Sequence, residues 1–220
     1  MSIESKNQSS KAVLVGIQLP KMTENEVLES LKELERLSNT MGATVISKMT
    51  QKRSSEKTSS VLGDGKLKEL ASWTGGEGVI ANTFSKKKHK AALKFETPNE
   101  EEEPYNEDTD FDEPEELADI VIFDCELSPS QLRNLESATG VKVYDRTGII
   151  IEIFSRHART KAAKLQVEIA RLAYLAPRIR ETGAKEDKQE GGGGKGAGET
   201  SLELDRRNIR DRIKELKEEL

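Results

Sequence analysis

Cysteine is nearly absent from this chain. Cys125 is the single one among 220 residues, so no intrachain disulfide can form. With only His89 and His157 beside it, a zinc cluster of ordinary ligand number is also excluded, and no metal site is expected. Aromatic residues make up 4% and hydrophobic residues 34% of the chain. That is little for one compact core of this length, so part of the chain is expected to be extended or disordered. No apolar run reaches membrane-spanning length. The polar start MSIESKNQSS lacks a signal-peptide pattern, since the first apolar stretch, AVLVGIQL, is strand-sized. These absences predict a cytoplasmic protein. A phosphate-binding loop of the Gly-x-x-x-x-Gly-Lys-Ser/Thr type is missing as well.

Charge is plentiful but unevenly placed. Residues 96–116 hold 12 acidic side chains, three prolines and no basic residue. Without them the remaining 35 basic and 28 acidic residues turn the net charge from −5 to +7. The block reads as a disordered acidic insertion over 84–117, a solvated spacer or a regulatory or RNA-mimicking segment. Residues 142–180, by contrast, carry nine Lys/Arg against three Asp/Glu, a balance suited to a polyanion.

After an N-terminus expected to be disordered over 1–11, β-branched runs alternate with helical patterns. AVLVGI (12–17) precedes a helix with Val27, Leu28, Leu31, Leu34 and Leu37 on one face, and ATVISKM (43–49) follows. A helix opens near Lys66, GVIA (78–81) reads as a third strand, and ADIVIF (118–123) and VKVY (141–144) complete the set. This alternation predicts an α/β domain over 12–145 with a small parallel sheet and flanking helices, the acidic block falling between the third and fourth strands. Ser128 is a fitting N-cap, with Pro129 in the first helical position and Gln131 completing a capping box. Gly140 fits a left-handed C-cap.

The remainder reads as a long antiparallel helical hairpin over 146–220. Ala158, Ala162, Leu165, Ile169, Leu172 and Ala176 are spaced as the seam of a coiled coil, and Leu202, Ile209, Ile213, Leu216 and Leu220 supply a matching seam. The tip falls at 181–198, with Pro177 expected to kink or end the first helix. The run from Gly191 to Gly194 is entropically costly to order, so it is either a flexible linker or a backbone that passes close to a partner.

Chemical sites are sparse. Gly63, Gly65 and Lys66 precede or open a helix, where backbone N–H groups can hold phosphate, or they form a structural turn. Asp124 and Glu126 follow a strand's carboxyl end, a common place for α/β sites, but no histidine or nucleophile accompanies them in sequence. His89 belongs to a basic patch, and His157 is an exposed helical residue or stacks on a base.

The segments LGDGKLKEL, DIVIFDCELSPSQLRNLE, VKVYDRTGIIIEIFSRHARTKAAKLQVEIARLAYLAPRIR and GGGGKGAGETSLELDRR, in this order, resemble the successive motifs of the HflX family of ribosome-associated GTPases. The resemblance covers the family's amino-terminal region. Family members usually carry proline where Ala197 stands, and their glycine segment is often longer. No P-loop or guanine-specificity motif occurs here, so these residues are expected to hold no cofactor of their own. GTP and magnesium belong to the family's GTPase domain. The resemblance implies a ribosome-binding region that docks as a monomer on the large ribosomal subunit and its RNA and helps separate or rescue ribosomes under stress. Gly191, Gly192, Gly193, Gly194, Lys195, Gly196, Gly198, Glu199 and Thr200 would form the tip near the peptidyl-transferase centre. Arg146, Arg156, Arg159, Lys161 and Lys164 are the expected RNA contacts, chosen on local charge as well as on the resemblance. Two alternatives stay open: a nucleotide hydrolase built on the Gly63–Lys66 turn and Asp124, and a coiled-coil interaction scaffold.

Overall fold

The computed structural model describes residues 9–80, 114–183 and 201–220. In chain order these form β1 (Ser10–Gln18), α1 (Glu24–Met41), β2 (Ala43–Lys52), α2 (Asp64–Ser72), β3 (Ile120–Phe123), α3 (Pro129–Thr139), β4 (Lys142–Tyr144), α4 (Arg146–His157), α5 (Lys161–Gly183) and α6 (Ser201–Glu219). The four strands make one all-parallel sheet in the order β2-β1-β3-β4. β1 and β2 are long and β3 and β4 short, and each strand is joined to the next through at least one helix, as parallel pairing requires.

Side-chain alternation along the central strands builds two cores. Val13, Val15 and Ile17 of β1 join Val121 and Phe123 of β3 on one face, where Leu67 and Leu70 of α2 and Leu135 of α3 cover them. Ala12, Leu14, Ile120 and Ile122 point to the other face, under Val27, Leu31 and Leu34 of α1 and Ile149 of α4. Strands buried on both faces read as continuous apolar runs, which is why AVLVGI and DIVIF stand out in sequence.

The helix caps repeat the sequence logic. Ser128 Oγ accepts from the Gln131 backbone N–H, and Gln131 Oε1 accepts from the Ser128 N–H at 2.8 Å. Gly140 closes α3 with a left-handed φ of 70°. Gln131 does more than cap: its Nε2 donates to the carbonyls of Glu56 and Thr58, and Asn134 donates to that of Ser59, so α3 pins the loop leading to α2. Thr23 and Glu26 form the same reciprocal box at the start of α1.

Several expectations are corrected. Residues 78–80 form no strand. Gly75 and Gly78 take left-handed φ values of 76° and 67°, and the Gly78 N–H donates to Ala138 O at 2.9 Å, so the chain hooks over the end of α3, and Ile80 is buried in the first core. The acidic stretch consequently falls between α2 and β3. Residues 81–113 lie outside the described residues, and from Pro114 the chain is described again, with Glu116 3.3 Å from Lys11. β1 starts at Ser10, inside the stretch expected to be disordered. Leu28 is 52% exposed, because the face of α1 turned to the sheet is the Val27, Leu31, Leu34, Ser38, Met41 stripe.

The second half also differs. Residues 146–157, grouped with the hairpin on pattern alone, form α4 on the sheet. The apolar seam breaks at Ala158, which is the extended C-cap of α4, and Thr160 caps the next helix through the Ala163 N–H. Helix α5 continues through Pro177 to Gly183. Proline there removes one helical hydrogen bond, but the flanking Tyr174 and Arg178 are tied down independently, as described below. α5 and α6 lie side by side and antiparallel: Lys161 at the start of one is 3.8 Å from Glu219 at the end of the other. Leu165, Ile169, Leu172, Ile209 and Ile213 are partly buried and Leu216 is 2% exposed, whereas Ala162 and Leu220, in the end turns, are exposed.

Cys125 sits against the first core, and burial pushes its thiol up to about 12, with Glu56 and Asp124 adding to the effect. The thiolate is the reactive form, so Cys125 should resist alkylation by iodoacetamide at pH 8 in the folded protein and react in denaturant. Rapid labelling of the native chain would contradict this burial. The raised pKa favours the protonated fold, so its contribution is intact below about pH 9 and is lost as pH climbs toward 12, by roughly 1.4 kcal/mol per pH unit. Stability measured across that window should fall less steeply in Cys125→Ala.

Candidate nucleic-acid interface

Two helices, α4 and α5, carry most of the basic stretch, and one buried carboxylate ties them together. Asp145 follows β4 directly and caps α4, accepting from the Gly148 N–H at 2.7 Å. Its side chain is fully buried. The same carboxylate accepts from Tyr174 Oη at 2.7 Å and from Arg178 Nη2 at 2.8 Å, both on α5. Arg178 also stacks on the Tyr174 ring, 3.3 Å from its centroid, and donates to the Tyr174 carbonyl at 2.7 Å. Burial, and then the hydrogen bond to Asp145, holds the Tyr174 phenol well above its ordinary pKa. The space is closed. A Cβ at Gly148 would lie 2.9 Å from Tyr174 Oη and 3.0 Å from Asp145 Oδ1.

Helix α5 thus turns back along α4 after residues 158–160 and is bolted to the α4 N-terminus near its own carboxyl end. Gly183, the last residue of α5, is five positions beyond Arg178, a rise of about 7.5 Å. The tip from Gly191 to Thr200, including Lys195, lies outside the described residues, as does His89.

The five expected RNA-contacting cations occupy different environments. Arg146 bonds Asp124 and Glu33, each at 2.7 Å, and Ser30 Oγ at 3.1 Å, joining α1, the end of β3 and α4. Arg156 is half-exposed. It pairs with Glu152 at 2.9 Å and caps the α1 carboxyl end through Met41 O. Lys161 is near Glu219. Arg159 and Lys164 are exposed, and among the described residues no ion pair engages either. His157 is exposed too. Its Nδ1 lies 2.7 Å from the Ile153 carbonyl, which requires Nδ1 to carry the proton.

The turn at Gly63, Gly65 and Lys66 is engaged within the protein. The Gly63 N–H donates to Gln51 Oε1 at 2.9 Å, Gly65 lies within α2, and Lys66 pairs with Glu69 at 2.6 Å. Asp124 is held by Arg146, and Glu126 accepts from the Thr147 hydroxyl. Asp145, Tyr174, Arg178 and the exposed Phe154 were not singled out by sequence. The one local signal was Asp145 immediately before a helix, an N-cap position.

Two family models match the chain: one described as GTP-binding GTPase N-terminal, over residues 28–86 and 111–155, and one described as GTP-binding GTPase Middle Region, over 157–220. The GTPase HflX of Gluconacetobacter diazotrophicus is 49% identical over 218 residues, covering 99% of this chain and 47% of that protein. The Escherichia coli GTPase HflX is 34% identical over 211 residues, covering 96% and 40%. The chain therefore spans less than half the length of these relatives. A GTP-binding protein from Sulfolobus solfataricus in complex with GDP has the same fold over 95% of this chain and 45% of its own, with a TM-score of 0.54 at 20% identity.

Proposed function

The chain belongs to the HflX family, as its amino-terminal region, and on that premise we propose that it is the ribosome-binding part of an HflX-like GTP-binding protein. It docks on the large ribosomal subunit, directs the glycine-rich segment toward the peptidyl-transferase centre and contributes to ribosome splitting or rescue under stress. GTP and magnesium are assigned to the part of the longer relatives that this chain does not span.

The observation that supports this reading most is the family match over 99% of the chain. The exposed Arg159 and Lys164 beside a helix anchored at Asp145 agree with it, because cations on a rigid frame can meet phosphates without first being ordered. The glycine segment fits as a backbone that must approach RNA where side chains would collide.

Sedimentation with separated bacterial ribosomal subunits tests the reading. Salt-sensitive binding to the large subunit and little to the small one is expected. Replacing Gly192, Gly193 and Gly194 with alanine should reduce affinity or the footprint near the peptidyl-transferase centre while leaving the salt slope unchanged, since no charge is altered. Equal binding to both subunits would overturn the assignment, and an unaltered footprint would reduce the glycines to a linker.

A further inference from the structure

Helices α4 and α5 do not close on each other along their whole length. Between the last turns of α4 and the first turns of α5 lies an open groove of about 500 Å³. Its walls are apolar, with Ile151 and Phe154 from α4 and Ala163 and Val167 from α5, and two polar groups, His157 and Gln166, join them. The small alanine leaves room for a flat ring. Phe154 is 61% exposed, the most exposed of the large apolar side chains among the described residues, and it borders a concavity rather than standing alone. Isolated exposed apolar side chains are ordinary, but an aromatic ring at the mouth of a groove marks a binding surface.

Charge selects the occupant. Arg156, Arg159, Lys164 and Arg171 are each adjacent in sequence to a lining residue, and all four are exposed. The acidic neighbours are fewer: Glu152 is paired with Arg156, and Glu168 is partly buried on α5. An apolar slot with an aromatic wall, two hydrogen-bonding side chains and a cationic surround suits a flat ring system carried on an anionic backbone. That is the chemistry of an unpaired nucleotide. Proteins take such bases by stacking them on aromatic or arginine planes and bonding their edges, while phosphates meet the surrounding cations.

We propose that this groove receives one unstacked nucleobase of large-subunit ribosomal RNA, stacked on Phe154. His157, held by its hydrogen bond to the Ile153 carbonyl, and the Gln166 amide, which both donates and accepts, line the groove where a base edge would lie. The proposal rests on the ribosomal reading and deepens it to a single contact.

Phe154 is largely outside the core, so its replacement leaves the fold intact, which a thermal melt verifies. Phe154→Ala, Phe154→Tyr and the wild-type chain are compared on purified bacterial large subunits, with affinity measured over a range of salt. Base edges are probed with dimethyl sulfate and kethoxal, and the RNA backbone with hydroxyl radicals. Phe154→Ala is expected to bind about 5- to 150-fold more weakly with an unchanged salt slope, and to restore the reactivity of one base that the wild type protects while backbone protection persists. Phe154→Tyr should recover most of the affinity. Wild-type affinity in Phe154→Ala, with every base protection retained, overturns the base site and leaves the ribosomal assignment standing. Weaker binding without any regained base reactivity also overturns it and identifies the groove as a contact for a ribosomal protein. Failure of the wild-type chain to bind large subunits overturns the ribosomal reading and this site together.

Discussion

Asp145→Ala is expected to lower folding stability by about 3–5 kcal/mol, the range for removing one partner of a buried ion pair. Four groups lose their acceptor at once: the Gly148 N–H, the Tyr174 hydroxyl, the Arg178 guanidinium and, more weakly, the Leu127 N–H at 3.4 Å. Arg178 is only 15% exposed, so its charge would remain largely buried without the carboxylate. Urea unfolding followed by helical circular dichroism measures the loss. Following Trp73, which packs against the first core, adds a local distinction: α5 and α6 should loosen at lower urea than the sheet. Asp145→Asn keeps an oxygen for the Gly148 N–H and should cost less. A loss below about 1 kcal/mol in Asp145→Ala would mean that α5 is held by its apolar contacts and that the carboxylate is incidental.

The triple replacement of Arg156, Arg159 and Lys164 with alanine should act on binding instead. Each phosphate contact contributes about 0.7 to 0.9 to the slope of log affinity against log salt, so three lost contacts flatten it by about 2–3 and weaken binding by roughly two orders of magnitude at 0.1 M salt. The three are not equivalent in structure. Arg156 also holds Met41 O, so its replacement alone carries a small stability cost, whereas Arg159 and Lys164 should affect affinity only. Arg146→Ala provides the contrast. Its guanidinium is committed to Asp124, Glu33 and Ser30, so its removal should appear as lost stability with the salt slope intact. Titration of large subunits at several salt concentrations checks both. An unchanged slope in the triple variant would exclude these cations as phosphate contacts.

Sequence revealed what is local and periodic. The runs around Leu14 and Ile122 alternate between two buried faces and are therefore apolar throughout, and the caps at Ser128 and Gly140 depend on residues at most three or four apart. What it hid is long-range. Tyr174 and Arg178 are 29 and 33 residues from Asp145, on a helix whose local pattern suits a simple apolar seam. GVIA reads as a strand because four residues give too little pattern to separate a strand from a hook that buries one isoleucine. Pro177 misleads because its local cost is real and is offset by tertiary ties. Arg146 and Arg159 look alike as charges in sequence, and only the position of Asp124 and Glu33 separates a structural cation from an exposed one.

The pairing of β1 with β3 has a consequence for how this fold tolerates change in length. The Lys11 N–H donates to Asp119 across 108 residues, and the register then runs from Ala12↔Ile120 to Val15↔Phe123. The free energy of closing a loop grows only with the logarithm of its length, about 0.6 kcal/mol for each doubling, so residues added or removed between Thr97 and Pro114 should change equilibrium stability little. The rate is another matter. The central strand pair forms only after that whole loop closes, and chains dominated by distant contacts fold slowly. Shortening the stretch between Thr97 and Pro114 should therefore register in stopped-flow refolding as a faster approach to the native state, with the unfolding midpoint nearly unmoved.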